Sequence, residues 1–363
     1  MKTNNKKLLY VAKSDGGGVE KKINGFCNAA TRAGYQVEYD MVQTSGFSDI
    51  RRQIRRMVSS DAKYIVMRSP TRNSIFYVCC FIRLKLQGKI LIIDQPSPAS
   101  TYIKEVNYQA RSFINKATKK LMTYIGCPFT FMLANRIIEY GVESAYFRFF
   151  SGNRALVIGN GIDTERISLR KNSYSDGTEL LSLIGVGARI ESWHGFDRVV
   201  RAMGEWKKQA RTPIVTFDIV GDYNTPHVNN EIKALIRTYG LEDEVRFLGT
   251  QTADALTAMY DRESLAISSL ANFRRGLYNA SVLKAREYCF AGIPFVSADD
   301  DPDFPNEVPF RFAIPNDDSI DAIINIFELF ADKRRQFSDE DIRQYAIDHL
   351  SFDSKIRAII TNV

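Results

Sequence analysis

Leu8-Leu9-Tyr10-Val11-Ala12 runs into Ser14-Asp15-Gly16-Gly17-Gly18, a helical pattern follows from Val19 to Arg32, and Gly34 closes it before a second strand pattern, Tyr35 to Tyr39. A strand, a glycine-rich turn, a helix and a strand make a βαβ start, which calls for a parallel sheet covered by helices. The unit recurs as helix 48–58, strand Tyr64 to Met67, helix 72–86, strand Lys89 to Ile93, helix 101–120 and a last strand, Arg154 to Ile158. These strands are short, continuous and apolar, as expected when both faces of a sheet are buried.

A polar stretch, Lys171 to Gly177, reads as a linker, and the alternation then begins again. Strand Leu180 to Val186 leads to helix 195–209, strand Ile214 to Val220, helix 228–239 and strand Val245 to Leu248. Helix 252–261, strand Leu265 to Ser268, helix 280–291 and strand Ile293 to Ser297 follow, and Asp317 to Val363 reads as two or three amphipathic helices. The expected architecture is α/β, with two successive doubly wound, Rossmann-like halves. The expected division is 1–165, 166–345 and a C-terminal helix, 346–363, packing back on the first half. Ligands of such sheets sit at the carboxyl ends of strands, at the switch point, so the cleft between the halves is the expected site.

The chain of 363 residues is 45% apolar, 25% charged and 12% aromatic, an ordinary globular composition with enough apolar residues for two cores. Disorder, collagen and a small disulfide scaffold are excluded. Five cysteines without a CxxC spacing, and three histidines away from any cysteine pair, argue against structural zinc. Reduced, mostly buried thiols are expected, and with them a cytoplasmic location. The longest apolar run, Ile75 to Ile82, falls far short of the ~20 residues that span a bilayer. Leu8 to Ala12 is too short for a signal-peptide core. With 49 basic against 42 acidic residues, net +7, the balance favours a phosphate-bearing substrate or an acidic membrane face.

Two segments of the second half carry chemistry. Gly187-Ala188-Arg189-Ile190-Glu191-Ser192-Trp193-His194-Gly195-Phe196-Asp197 feeds a helix N-terminus, where free N–H groups and the helix dipole favour an anion. Arg189 and His194 add side-chain donors. The other segment is Arg274-Arg275-Gly276-Leu277-Tyr278-Asn279-Ala280-Ser281-Val282-Leu283-Lys284-Ala285-Arg286-Glu287-Tyr288. Lys284 and Glu287, three apart, share a helix face. Asn279 and Glu287, eight apart, would stand ~12 Å apart along a helix, about the length of a nucleotide-diphosphate sugar from ribose to hexose. A cation between them would meet the diphosphate.

In this order the motifs resemble the retaining GT-B glycosyltransferases of the large family 4 group, and the likeness covers essentially the whole chain. Arg189 stands where that family has an arginine, His194-Gly195 where lysine-glycine is usual, and Asn279-x7-Glu287 where Glu-x7-Glu is usual. Gly16-Gly17-Gly18-Val19-Glu20-Lys21 is similar to the family's opening loop, and Gly159-Asn160-Gly161-Ile162-Asp163 to the element before its second domain. Ala280-Ser281-x-Leu283-Lys284-x-Arg286-Glu287-Tyr288 resembles a capsule and surface-polysaccharide branch.

The resemblance implies transfer of a sugar, with retention, from a nucleotide-diphosphate sugar to a glycan or polyprenyl-linked acceptor. Arg189, Lys284 and Asn279 would be the catalytic set, with Arg189 and Lys284 on the leaving diphosphate. Gly17, Gly18, Gly187, His194, Gly221, Ser281, Val282, Leu283 and Glu287 would hold the donor, Glu287 through ribose hydroxyls. Neither cofactor nor metal is implied. The departing phosphate oxygen takes the acceptor proton in such a reaction, and the first half has no histidine to act as base. Asp94 is its best carboxylate for orienting an acceptor.

Three other readings start from the same residues. Asp299-Asp300-Asp301-Pro302-Asp303 is a carboxylate cluster of the kind that binds metal. Gly16-x-Gly18 with Glu38 is a partial dinucleotide fingerprint, lacking its third glycine, which would make the protein an oxidoreductase. Asn279 and His194, both off the family pattern, leave a nucleotide-sugar binder without turnover. Partners are expected to include no nucleic acid. Helix 48–58 sets Ile50, Ile54 and Met57 in one stripe flanked by Arg51, Arg52, Arg55 and Arg56. With Lys116, Lys119 and Lys120 it predicts peripheral attachment to an anionic membrane; if the stripe faces the sheet the arginines can still act electrostatically, at ~1 kcal/mol for each basic residue near the surface.

Overall fold

The computed structural model describes residues 6–14, 18–44, 46–109, 112–164, 167–171, 179–305, 307–331 and 337–360. Most of the expected linker, 172–178, lies outside them. The chain forms two compact units, Met1–Asp163 with Leu350–Val363, and Thr164–His349.

In the first unit the strands are β1 (Lys7–Lys13), β2 (Gln36–Val42), β3 (Tyr64–Arg68), β4 (Ile90–Gln95), β5 (Arg136–Glu139) and β6 (Ala155–Val157). They pair in the order β2-β1-β3-β4-β5-β6, parallel throughout. Helices α1 (Gly18–Arg32), α2 (Phe47–Ser59), α3 (Val78–Leu86), α4 (Ala99–Gln109), α5 (Phe113–Leu133) and α6 (Ala145–Ser151) connect them. Two core layers result, one on each face of the sheet. Leu9, Val11, Ile65, Met67, Leu91 and Ile93 face one, and Leu8, Tyr10, Val66, Ile92 and Ile138 face the other. That is the two-sided burial which continuous apolar strands demand.

In the second unit β7 (Leu180–Arg189), β8 (Ile214–Asp222), β9 (Val245–Gly249), β10 (Leu265–Ile267), β11 (Phe295–Ser297) and β12 (Arg311–Ala313) pair as β9-β8-β7-β10-β11-β12. Counted within the unit this is the doubly wound order 3-2-1-4-5-6, with its switch point between β7 and β10. The helices are α7 (Phe196–Lys208), α8 (Lys233–Tyr239), α9 (Ala253–Tyr260), α10 (Leu283–Ala291), α11 (Asp321–Ala331) and α12 (Asp339–Tyr345). The last helix, α13 (Phe352–Ile360), belongs to the first unit, where Phe352, Ile356 and Ile359 pack with Phe26.

Several expectations are corrected. The helix expected at 101–120 is two, α4 and α5. Apolar residues lie on both faces of α5 and hide its period, so the sequence reading stopped at the lysines. The segment expected as helix 72–86 opens as a 3-10 turn, Thr71–Tyr77, before α3. The charge-flanked β5 and the short β12 went unread. On α2, Ile50, Gln53 and Met57 are buried, so the stripe faces the sheet. Arg52 pairs with Asp40, and Arg56 with Glu38. Half of that helix's four arginines, Arg52 and Arg56, thus already meet carboxylates. Of the five cysteines, all free, only Cys79 is exposed.

Candidate functional site

The carboxyl ends of β7 and β8 approach so closely that both need glycine. A Cβ on Gly221, which has φ +135, would lie 1.7 Å from the Gly187 carbonyl oxygen. A Cβ on Gly187 would lie 3.0 Å from His194 Nε2. β7 reaches Arg189, past a register shift against β8 between Val186 and Arg189. Gly187 and Arg189 therefore stand on the strand end, not on the expected loop. A 3-10 turn, Ser192–His194, follows, and Glu191 and His194 cap it reciprocally. His194 Nδ1 meets the Glu191 backbone, 3.0 Å from its amide and 3.1 Å from its carbonyl oxygen. Burial, and then the neighbouring Lys284 charge, push the His194 pKa well below its ordinary value. His194 is thus neutral, and it does not supply the positive charge of the lysine usual at that place.

Lys284, in the first turn of α10, is buried and has no hydrogen-bond partner for Nζ among the described residues. Its ammonium lies 5.1 Å from the centroid of the Phe196 ring, a cation–π contact that only partly offsets lost hydration. Burial lowers its pKa to about 7, against the pull of Asp299, and Arg275 lowers it further. Asp299 is buried too and accepts twice from Asn272 Nδ2, at 2.9 and 2.8 Å. Its pKa is raised to about 7 by burial. Arg275 donates to Asn272 Oδ1 at 2.8 Å and stacks over Trp193, 5.3 Å from the ring centroid. Asn272 carried no sequence signal, and Asp299 was read only as part of a carboxylate cluster of the metal-binding kind. The Arg274-Arg275 pair was the available signal, but only packing separates them. Arg274 is engaged bidentately by Asp197, at 2.8 and 2.7 Å, and Arg275 flanks Lys284.

The predicted pair of diphosphate cations is not brought together as a contact. Arg189 is 58% exposed and its Nε meets Glu191 at 3.1 Å, whereas Lys284 is enclosed. Asn279 is off the helix altogether. It bridges to Asp300 outside the sheet, with Nδ2 donating to Asp300 Oδ2 at 3.4 Å. α10 begins only at Leu283, so the ~12 Å helical spacing to Glu287 does not apply. Ser281 and the N-cap Val282 lead into that helix, and the Val282 side chain makes no capping bond, so the helix N-terminus is of the kind that takes an anion. Glu287 is half-buried beside Tyr260 and Tyr288, whose pKa values it raises after burial has done so. Tyr288 Oη accepts from Val186 N at 3.1 Å and donates to the Ile267 carbonyl at 3.2 Å, tying α10 to β7 and β10. The acidic loop is engaged inside the unit. Asp301 and Asp303 clamp the fully buried Arg286, and Asp299 serves Asn272.

In the first unit Gly17 lies outside the described residues, and Gly18 opens α1. Asp94, at the end of β4, is 1% exposed. It accepts from Tyr10 Oη at 2.6 Å, Lys22 Nζ at 3.2 Å and Arg68 Nη1 at 3.4 Å. A carboxylate so enclosed organises cations and does not meet an acceptor, which corrects its expected place. The Lys22 pKa is lowered to about 7 by burial, against the pull of Asp94. Arg68 also lines a cavity of about 190 Å³ with Lys13, Thr44, Gln53, Ser69 and Asn73.

Residues 171–337 match the family model described as glycosyl transferases group 1. Sucrose-phosphate synthase from Thermosynechococcus elongatus is similar over 97% of each chain, at 14% identity and a TM-score of 0.66. Anabaena HepE, solved with UDP and glucose, is 15% identical over 98% of this chain and 100% of its own, with a TM-score of 0.65. A Rickettsia africae glycosyltransferase is 13% identical over 99% of this chain and 100% of its own, also at 0.65. The shared fold is GT-B. No curated protein matches the sequence.

Proposed function

From the match of residues 171–337 to the model described as glycosyl transferases group 1, we propose that this protein moves a sugar from a nucleotide-diphosphate donor to a glycan or polyprenyl-linked acceptor, with retention. The observation that carries the reading is the buried, unpartnered Lys284 ammonium. It stands at the start of α10 with Arg275 and neutral His194 near it, at the switch point of a doubly wound sheet. A buried cation without a counter-ion costs stability, and a bound diphosphate repays it. The UDP and glucose held by Anabaena HepE support a uridine donor.

Breaking the bond from the anomeric carbon to the phosphate oxygen develops charge on the diphosphate. Lys284, Arg275 and the α10 amides receive it, and Arg189 adds an exposed cation once its guanidinium leaves Glu191. The acceptor hydroxyl oxygen bonds the anomeric carbon on the face the phosphate leaves, and the departing phosphate oxygen takes its proton. Preorganised donors of this kind are worth ~2.7–4 kcal/mol each. Glu287 takes ribose hydroxyls. The resemblance to a surface-polysaccharide branch supports work in the cytoplasm on an acceptor carried by a membrane. Asn279, drawn off the helix to Asp300, favours a second reading, a nucleotide-sugar binder with little turnover. Acceptor-dependent release of free UDP from UDP-sugars decides between them, and thermal stabilisation by UDP without such release leaves the binder.

A further inference from the structure

The first sheet has a switch point of its own. From β1 the chain crosses to β2 on one side, while β3 and β4 add on the other. The carboxyl ends of β1 and β3 are therefore where a doubly wound sheet takes a ligand. The cavity of about 190 Å³ lies there, lined by Lys13 at the end of β1, Val42 at the end of β2 and Arg68 at the end of β3. Its floor is fixed before any ligand arrives. Tyr77 Oη donates to Gln53 Oε1 at 2.7 Å, and Gln53 Nε2 donates to the Ala12 carbonyl at 2.9 Å, all three residues buried. Its rim is held in a costly shape. Thr71, between the lining residues Pro70 and Asn73, has φ +44, in the left-handed region that β-branched residues avoid. Strain of this kind collects at ligand clamps.

We propose that this cavity is an anion site of the first unit, which takes a phosphoryl group carried by the acceptor. Charge selects that ligand. Lys13 and Arg68 are cations on its wall, and none of its lining residues is a carboxylate. Asp94, which Arg68 Nη1 meets at 3.4 Å, and Asp49, which accepts from Thr44 Oγ1, are both engaged, and neither lines the space. A guanidinium has five donors, enough for Asp94 and a ligand together. The neutral groups donate as well. Ser69 Oγ accepts from the Thr71 amide at 3.2 Å, and Asn73 Oδ1 from Arg72 Nε at 3.2 Å. A hydroxyl hydrogen and an amide NH2 are what these two offer a ligand. Two positive charges with short polar donors suit a phosphoryl dianion better than a neutral sugar. Size excludes the donor. At ~30 Å³ each, about six waters fill the cavity, and sites that enclose larger ligands run to ~300–1,000 Å³, so a nucleotide sugar does not fit. The inference deepens the proposed transfer by naming what the acceptor carries, and it rests on that reading for the acceptor's part in it. A sugar phosphate in solution and a prenyl-linked sugar diphosphate both present such a group.

The test is calorimetric titration of the full chain with inorganic phosphate, with and without UDP. Phosphate should bind saturably in both cases. Arg68→Gln should weaken that binding about tenfold or more, as for a lost hydrogen bond to a charged group, and Lys13→Gln, on the exposed side, several-fold. Arg51→Ser/Arg55→Ser, exposed cations of α2 outside the cavity, should change nothing. Arg68 also serves Asp94, so circular dichroism melts check its variant for folding; Lys13 is exposed, and Lys13→Gln keeps the test open if Arg68→Gln does not fold. Phosphate that fails to bind, or that binds Lys13→Gln and folded Arg68→Gln as it binds wild type, overturns the proposal. Phosphate displaced outright by UDP overturns it in favour of the donor site, and acetate competing equally overturns it in favour of a carboxylate. Displacement of phosphate by a glucose monophosphate supports a free sugar phosphate as the source, and displacement by farnesyl diphosphate a prenyl carrier; displacement by neither overturns the acceptor's part. UDP binding, measured alone, separates the readings. A chain that binds UDP but not phosphate loses only this site, and one that binds phosphate through Lys13 and Arg68 but ignores UDP keeps the site and loses the donor reading.

Discussion

Lys284 is the residue on which the chemistry turns. With its pKa near 7, the free protein holds it protonated below that pH and neutral above. A cation required by the diphosphate then makes kcat/KM highest at the acid side, falling toward tenfold per pH unit above about 7. Bound diphosphate favours the charged form, so the fall in kcat should come at higher pH. Lys284→Arg, charged throughout, should flatten the kcat/KM profile, and an unchanged break near pH 7 would reject the role. Lys284→Ala should lower turnover by about 10²-fold or more, on the scale of losing one charge-stabilising donor. Arg189→Ala tests an exposed cation instead. It should fold normally and lose a comparable factor in kcat if its guanidinium leaves Glu191 for the diphosphate. Glu287→Gln should weaken binding of free UDP, measured by calorimetry, with unchanged affinity excluding the ribose contact.

At the scale of elements, two short segments are decided by what packs against them. Gly161 precedes the end of the first sheet unit, and a Cβ there would lie 2.4 Å from Phe352 Cδ1. Phe352 also meets the Phe26 ring edge-on at 5.9 Å, and Lys355 Nζ donates to the Gly159 carbonyl at 2.9 Å. The Gly159–Asp163 element is thus held by α13 and, through Asp163, by Asn28 of α1 at 2.8 Å. Gly161→Ala should overpack this joint and cost ~1–3 kcal/mol, read as a lower Tm. A Tm equal to wild type would show the ring free to move aside. α10 shows the converse case. Its amphipathic pattern suggested a start at Ala280, but Asn279 and Ala280 bridge to Asp300, and the helix can begin only after that bridge.

For the molecule as a whole, acidic side chains are drawn into internal pairs. Asp301 and Asp303 face Arg286, Asp197 faces Arg274, and Asp94 faces Lys22 and Arg68. Among the described residues no group of three His, Cys, Asp or Glu side chains is placed to hold a metal. The resemblance implies no metal, and under the proposed function transfer should survive EDTA at full rate. Complete loss, restored by manganese or magnesium, would return the Asp299–Asp303 loop to consideration. UDP at about 100 times its Kd should add ~2.7 kcal/mol to the stability of the folded chain.

Continuous apolar strands, glycine turns and helical periods determine two parallel α/β halves, because period and burial are properties of neighbouring residues. The same local logic marks Lys284, His194 and Glu287 as chemistry-bearing. It cannot say which side of a helix meets the sheet. Ile50 and Met57 on α2, and Ile114 and Leu121 on α5, both read as apolar stripes beside cations. Tertiary packing buries the first pair and leaves the second in water. Nor does local sequence tell Arg274 from Arg275, since the first is taken by Asp197, distant in sequence, and the second is left beside Lys284. Protonation follows the same division. His194 and Lys284 carry ordinary pKa values in an open chain, and only the folded unit pushes both down, by burial and then by a neighbouring cation, Lys284 on His194 and Arg275 on Lys284.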